Sequence, residues 1–429
     1  MKTLAFCILI STLVLANDLI PGKKQTKPIV IKGAKIFTVS GEVIDNGSIL
    51  FDKGVITAIG ESSLPAPESA EVIDVAGKHV YPGLIAAYSQ LGLVEVGAVR
   101  ATRDFAEVGS INPNARADIA YNPDSEVPPT VRSNGITTAL IAPSSGLLSG
   151  TSSVLHLDGW NREDMTVLKD AGVHLNWPRM TVVNAWWVKE SAEKQQEKIS
   201  KNLKEIEEFF AEAKVYTKAR QSNPNTKMDI RFEAMVPVIE RKVPLIIRAS
   251  EYKQIESAID FCRRNDLKMI LLDGADAWKL ADLLKENDVP VIYQRTHSLP
   301  AREDEDFDMA FKTPLLLREA GVKFCISKTS GDVFDIRNLP FYAGTAAAHG
   351  LSKTDALKTI TLWPAEILGI ADKLGSLEVG KSATLIVCDG DIMDFQSSKV
   401  QMMFIDGRKV DLDDKHKRLY RKYKARYLE

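Results

Sequence analysis

Short apolar runs alternate with helix-like stretches through the middle of the chain, and this alternation limits the folds open to it. The runs are rich in Val, Ile and Leu, and they read GITTALIAP, VPLIIRAS, LKMILLDG, VPVIYQ and VKFCIS. Continuous apolar strands separated by helices are typical of a parallel sheet covered on both faces. We therefore predict an α/β fold with a TIM-like (β/α)8 barrel, in which the residues that follow each strand carry the chemistry.

The two ends of the chain have a different sequence pattern from the middle. Residues 28–80 and 374–412 consist of short β-branched runs punctuated by Gly, Asn and Asp, which is typical of strands and tight turns. Because chain termini often lie close together, we expect these segments to pair in a small composite β-sandwich. The barrel is then assigned to residues 81–373, and a basic C-terminal helix to residues 413–429.

The N-terminus resembles a secretory signal peptide, assigned to residues 1–16. Lys2 supplies the positive start, Leu4–Leu15 the apolar run and Ala16 a small residue for cleavage. The apolar run is short for a membrane-spanning helix, and no other run reaches that length. We therefore expect an exported protein, periplasmic or secreted, with no transmembrane segment.

The charge of the chain limits the classes of partner that we expect. A net charge of −2 gives no general attraction to nucleic acid or to an anionic membrane. The tail KHKRLYRKYKARYLE is basic and aromatic. We expect it to form a helix whose tyrosines, Tyr420, Tyr423 and Tyr427, pack on the barrel, rather than to bind nucleic acid. Contact with a partner or a membrane surface stays open as the alternative.

Three stretches, in order and suitably spaced, resemble one known family. They are IDVAGKHVYPGLI (73–85), GLSKTDALKTITLWPAEILGI (350–370) and LGSLEVGKSATLIVCDGD (374–391). Together they resemble the amidohydrolase superfamily, nearest to its imidazolonepropionase-like branch. The resemblance implies a metal-dependent-hydrolase barrel with a composite sandwich, and hydrolysis of a non-peptide, cyclic C–N bond in a small molecule.

Members of that superfamily hold one or two zinc-type ions with an HxH pair after strand one, single histidines after strands five and six, and an aspartate after strand eight. Neutral imidazoles bind zinc and leave a position for water, whose pKa the metal lowers. In this chain Tyr88 and Gln90 stand at the HxH positions, Arg248 follows strand five and Asp273 follows strand six. Cationic and amide side chains do not make a zinc site.

The remaining ligand positions are also altered. Strand eight offers Ser327 or Lys328 near the place of the catalytic aspartate, with Asp332 a few residues later, and strand four offers no ligand. The family cofactor is zinc, yet its ligands are missing, so we predict no metal and no other cofactor. A displaced metal site built from His156 and His174 is the alternative.

The charges that replace the ligands, Arg248, Asp273 and Lys328, allow three interpretations. They could pair with each other and stabilise the barrel in place of the metal, as Arg248–Asp273 or Asp273–Lys328. Alternatively, Arg248 could clamp an anionic ligand. Metal-free catalysis by Lys328 with a lowered pKa is the third.

Two further side chains extend the candidate site. His297 follows strand seven in a loop rich in Arg and Asp, and it is either part of a salt-bridged loop or a general acid/base. Arg103 lies in the loop after strand one, where substrate contacts are made in such barrels. The predicted catalytic residues are thus Lys328, His297 and Asp273, and the predicted substrate-binding residues are Arg248, Tyr88, Gln90 and Arg103.

Two functions remain open at this point. One is a divergent hydrolase that lacks the usual zinc centre. The other is an inactive homologue that binds a small, anionic ligand or serves as the partner subunit of an active homologue. Either could form a homo-oligomer.

Overall fold

The computed structural model describes residues 18–61, 64–300, 302–328 and 333–428, so the predicted signal peptide lies outside the described residues. The strands are β1 (Ile29–Phe37), β2 (Val43–Asp52), β3 (Val55–Glu61), β4 (Glu71–Asp74), β5 (His79–Pro82), β6 (Leu84–Ser89), β7 (Ile136–Ile141), β8 (Leu148–His156), β9 (Thr166–Asn176), β10 (Leu245–Ala249), β11 (Met269–Asp273), β12 (Val291–Tyr293), β13 (Phe324–Ile326), β14 (Leu385–Cys388), β15 (Val400–Ile405) and β16 (Arg408–Lys409). The helices are α1 (Ala117–Ala120), α2 (Val127–Arg132), α3 (Arg162–Met165), α4 (Ala192–Ser222), α5 (Ile230–Ile239), α6 (Tyr252–Asn265), α7 (Ala281–Glu286), α8 (Met309–Glu319), α9 (Leu339–Ala348), α10 (Lys353–Lys358), α11 (Leu362–Ile367) and α12 (Lys415–Leu428).

Strands β6 to β13 form the predicted barrel, in sequence order around the sheet. One detail differs from an all-parallel barrel: β8 runs antiparallel to both β7 and β9. The connections on either side of β8, residues 142–147 and 157–165, are shorter than the dozen or so residues that a parallel crossover needs. The strand therefore has to reverse direction.

The barrel is nearly closed. Its edge strands β6 and β13 both bond to one segment of chain, because the carbonyl of Thr359 accepts from the amide of Ile326 at 3.0 Å and that of Ile360 accepts from the amide of Ile85 at 2.9 Å. Nearer the C-terminal ends of these strands, the Ser327 hydroxyl donates to the carbonyl of Tyr88 at 3.3 Å. The ends of the first and last barrel strands are thereby held side by side.

The predicted composite domain also forms. Its strands lie in the order β16-β15-β14-β5-β1-β2-β3, with β4 beside β1, in one continuous sheet. The chain ends meet where β5 pairs antiparallel with β14, from His79 opposite Cys388 to Pro82 opposite Leu385. Its core consists of fully buried apolar side chains, among them Ile31, Ile49, Phe51 and Phe404.

The Pro-Gly bend carries the chain from the composite sheet into the barrel. Gly83 alone separates β5 from β6, and a Cβ built on it would lie 2.2 Å from the Oγ1 atom of Thr137. Only glycine fits so close to the neighbouring strand. The bend thus sets the start of β6, which leaves Tyr88 and Gln90 at its C-terminal end.

Buried charges fasten the barrel to the composite sheet. The carboxylate of Asp158 accepts from Arg132 at 2.7 Å and from Arg408 at 3.0 Å. His156, at the end of β8, lies 3.3 Å from the carboxylate of Asp406. These contacts sit at the N-terminal end of the barrel strands, away from the candidate site.

The basic tail forms helix α12, but its tyrosines do not pack on the barrel as expected. Tyr420, Tyr423 and Tyr427 are 64%, 54% and 80% exposed. The helix is instead fixed at its first turns, where Arg418 donates to both carboxylate oxygens of Glu126 at 2.8 Å. Among the described helices, none has the length and apolar character needed to span a membrane.

Candidate functional site

Tyr88, Arg248 and His174 meet inside the barrel near the C-terminal ends of its strands. The guanidinium carbon of Arg248 lies 5.0 Å from the centre of the Tyr88 ring, which is within cation–π distance. The His174 ring lies 5.9 Å from that of Tyr88. Tyr88 and His174 are almost fully buried, so the guanidinium is packed on an aromatic floor.

Gln294 connects this cluster to the next strands. Its amide oxygen accepts from Nη1 of Arg248 at 3.0 Å, and its Nε2 donates to the carbonyl oxygen of Lys328 at 2.5 Å. Gln294 follows β12, while Arg248 lies on β10 and Lys328 follows β13. The Gln294 side chain therefore links the ends of β10, β12 and β13 at the barrel mouth.

Three buried polar atoms of the cluster have no hydrogen-bond partner among the described residues. They are the Tyr88 hydroxyl, Nε2 of His174 and Nη2 of Arg248. Burial, reinforced by the neighbouring Arg248 charge, lowers the pKa of His174 to about 3, so its imidazole is neutral at pH 7. Leaving a buried polar group unpaired costs about 1–3 kcal/mol, so each of these atoms favours a water molecule or a ligand as its partner.

Asp273 is held by Arg295, one of the arginines of the loop around His297. Its two carboxylate oxygens accept from Nε and Nη2 of Arg295, at 2.5 and 3.1 Å, and the same guanidinium donates to Ser250. Neither expected ion pair, Arg248–Asp273 or Asp273–Lys328, is present. Asp273 has a φ of 90°, so the strand geometry that would aim it at the barrel axis is broken at this residue.

Lys328 and His297 lie against Tyr342. Lys328 is 3.5 Å from the carboxylate of Asp335, and its ammonium is 5.7 Å from the centre of the Tyr342 ring. His297 shares a 2.6 Å hydrogen bond with the Thr345 hydroxyl, and its ring is edge-on to that of Tyr342 at 4.5 Å. Partial burial and the nearby Lys328 charge lower the pKa of His297. The lysine is thus ion-paired, and the histidine favours its neutral form.

Gln90 and Arg103 line a cleft at the barrel mouth with a volume of about 740 Å³. Gln90 donates to the hydroxyl of Ser144, which also lines the cleft. The Arg103 guanidinium lies 5.7 Å from the Phe105 ring, and no carboxylate of a described residue lies within ion-pair distance of it. Two of the four predicted binding residues therefore line one cleft, while Tyr88 and Arg248 are not part of its lining.

The displaced metal site is not formed. His156 is the last residue of β8, whereas His174 pairs with Gly150, six residues earlier on β8, so the two histidines lie about 20 Å apart along the strand. Among the described residues there is no cluster of three or more His, Cys, Asp or Glu side chains that could hold a metal. Asp332 lies outside the described residues.

The side chains at the family's ligand positions do not fit a zinc ion. Zinc needs imidazole, thiolate or free carboxylate donors. A guanidinium has no electron pair to give and repels a cation, and the one carboxylate, Asp273, is already bonded at both oxygens by Arg295. His174 is a single imidazole beside that guanidinium.

Comparison with known proteins places this fold in a family. The sequence model of the Amidohydrolase family matches residues 268–410. An amidohydrolase from Thermotoga maritima MSB8, known as a crystal structure, superposes with a TM-score of 0.80 at 25% identity, over 89% of this chain and 99% of that one. This chain belongs to the amidohydrolase superfamily.

Other relatives are more distant. Amidohydrolase tasK of Hapsidospora irregularis is 22% identical over 437 residues, covering 89% of this chain but only 43% of that protein. An adenosine deaminase from Xanthomonas campestris, solved with bound zinc, shares the fold with a TM-score of 0.52 at 15% identity, over 94% of this chain and 99% of that one.

Three residues that shape the site were not among the predicted site residues. Gln294 and Arg295 immediately follow β12, where barrel side chains contribute to the mouth. Their position directly after a barrel strand is the sequence signal that identifies both. Asp335, the partner of Lys328, lies in no motif that would mark it in the sequence.

Proposed function

We propose that this protein binds a small carboxylate-bearing molecule at the barrel mouth and does not perform zinc-hydroxide hydrolysis. The observation that carries the proposal is the packing of the Arg248 guanidinium on Tyr88, at the positions where the superfamily binds metal. A permanent cation there takes the metal's electrostatic place without supplying an activated water. The family's chemistry is thereby removed, while a cleft at the barrel mouth remains open to a ligand.

The cleft supports an anionic ligand with an apolar part. Arg103 has no carboxylate of a described residue within ion-pair distance, and it lies beside Phe105, Val94 and Val333 in the lining. A guanidinium binds a carboxylate with two parallel hydrogen bonds. Gln90 and Ser144 add an amide and a hydroxyl, which suit a ligand that carries an amide of its own.

The proposal extends to the setting of the protein. The signal-like N-terminus supports export, and a binding role suits either an independent protein or the partner subunit of an active homologue. Light scattering of the purified protein, alone and mixed with such a homologue, distinguishes these two arrangements.

The test compares hydrolysis with binding. The protein, supplied with zinc, is incubated with a hydantoin and with an N-acyl amino acid, and we expect no turnover of either. Thermal shift is then measured with N-benzoylglycine and with its uncharged amide. We expect stabilisation by the carboxylate only, lost in Arg103→Met and kept in Arg100→Met, an exposed neighbour outside the cleft. Zinc-dependent turnover, or equal stabilisation by the two compounds, would refute the proposal.

A second candidate is metal-free hydrolysis, and one observation favours it. His297 has a lowered pKa and therefore offers a neutral imidazole near pH 7 at the rim of the mouth. Activity that survives chelators and is abolished in His297→Gln would support this candidate over simple binding.

A further inference from the structure

A second cavity lies at the opposite, N-terminal end of the barrel. It has a volume of about 960 Å³ and is lined by the residues that lead into strands β10 to β13, by part of β9 and by α11. The proposed carboxylate cleft is at the C-terminal end of the same strands, so the two do not overlap. The volume is within the range of small-molecule sites.

The floor of this cavity is apolar. Met269, Ile270, Phe324 and Leu368 line it, and each is at most 5% exposed. The half-buried indole of Trp363 forms part of the wall and has the Arg318 guanidinium 5.6 Å above it. An apolar group placed here would be removed from water on several sides, which stabilises binding in proportion to the area covered.

The rim carries positive charge that the protein does not neutralise itself. Lys169 and Lys268 both line the cavity, and neither has a carboxylate within ion-pair distance among the described residues. Other rim cations are paired: Lys323 lies 2.8 Å from Asp288, and Arg318 lies 3.0 Å from Asp355. Two unpaired lysines beside an apolar floor complement a ligand with one anionic end.

We propose that this cavity binds a single-chain amphiphilic anion, such as a medium-chain fatty acid. The chain lies on the Met269–Phe324 floor, and the carboxylate contacts Lys169 and Lys268. A polyanion is disfavoured, because the acidic side chains of Asp170 and Glu366 also line the cavity and would repel additional negative charge.

The probe is decanoate, compared with decanol and with acetate. Decanoate should bind saturably at one site and change the fluorescence of Trp363, more weakly as ionic strength rises. The charge-reversal variant Lys169→Glu/Lys268→Glu should weaken binding by about tenfold, the result of losing two favourable charge contacts and adding two unfavourable ones. The matched control Lys201→Glu/Lys218→Glu, which reverses two exposed lysines on α4 outside the cavity, should bind as the parent does.

A second variant locates the site independently. Trp363→Phe should remove the fluorescence change while calorimetry still detects decanoate. The proposal is overturned if decanoate does not bind saturably, if decanol or acetate binds equally well, if the two charge-reversal variants behave alike, or if the fluorescence change survives in Trp363→Phe.

Discussion

The Arg248 guanidinium packs against the Tyr88 ring, 5.0 Å from its centre, so a fixed cation and an aromatic face meet at two positions where the family resemblance places metal ligands. Gln294 completes the arrangement by accepting from Nη1 at 3.0 Å. Together these contacts join strands β6, β10 and β12 around one charge. We interpret the cluster as a built-in replacement for the metal in holding the mouth of the barrel.

Removing the charge should destabilise the protein. Arg248→Met keeps the length of the side chain but loses the cation–π contact and the hydrogen bond to Gln294, so we expect the free energy of unfolding to fall by about 1–3 kcal/mol. The free energy of unfolding of Arg248→Lys should lie between those of the parent and Arg248→Met, because an ammonium keeps the charge but not the planar guanidinium. Chemical denaturation measures this, with the exposed Arg100→Met as control. A variant Arg248→Met that is as stable as the parent would show that the charge has no structural role.

His174 should make stability depend on pH. Its pKa is about 3 in the folded protein and 6.5 as the ordinary value, so the unfolded chain takes up a proton first as pH falls. Stability from this residue is therefore full above pH 7 and declines below 6.5, by about 2 kcal/mol between pH 7 and pH 5.

The variant His174→Gln should flatten that part of the profile. Denaturation midpoints measured from pH 8 to pH 5 provide an internal control, since parent and variant should run parallel between pH 8 and pH 7. Parallel profiles down to pH 5 would contradict the burial of a neutral imidazole at this position.

The Asp273–Arg295 pair is predicted to be structural rather than catalytic. Asp273→Asn keeps a side chain that tolerates the positive φ of 90°, yet removes the charge that Arg295 needs. We expect a loss of about 2 kcal/mol, because Arg295 is left without its carboxylate in a partly buried place.

A double-mutant cycle checks this assignment. The double variant Arg295→Gln/Asp273→Asn should lose less stability than the sum of the losses in the two single variants. The ligand of the cleft should still stabilise each single variant. Additive losses, or a loss of ligand response in Asp273→Asn alone, would point to a role in the cleft.

The sequence predicted the architecture better than the partners of individual charges. Apolar runs locate the barrel strands because burial on both faces demands them, and Arg248 could be placed in the mouth because it ends such a run. That pattern does not encode strand direction, so it could not predict that β8 runs antiparallel to its neighbours. The partner of Asp273 was missed because its backbone leaves strand geometry and Arg295 arrives from another strand.

The exposed tyrosines of α12 have a related explanation. Their spacing fits one helical face, but spacing does not tell whether that face meets the protein or solvent. The contact between Arg418 and Glu126 fixes the helix at its start and leaves Tyr427, near its end, 80% exposed. Long-range contacts of this kind are decided by the whole fold.

Metal analysis tests the central claim most directly. The protein is purified without chelators from zinc-supplemented medium and measured by elemental mass spectrometry, together with the variant Tyr88→His/Gln90→His/Arg248→His, which restores imidazoles at three ligand positions beside His174. The account predicts only trace zinc in the parent and about one ion per chain in the restored variant. A full equivalent of zinc in the parent, lost on His174→Ala, would contradict it.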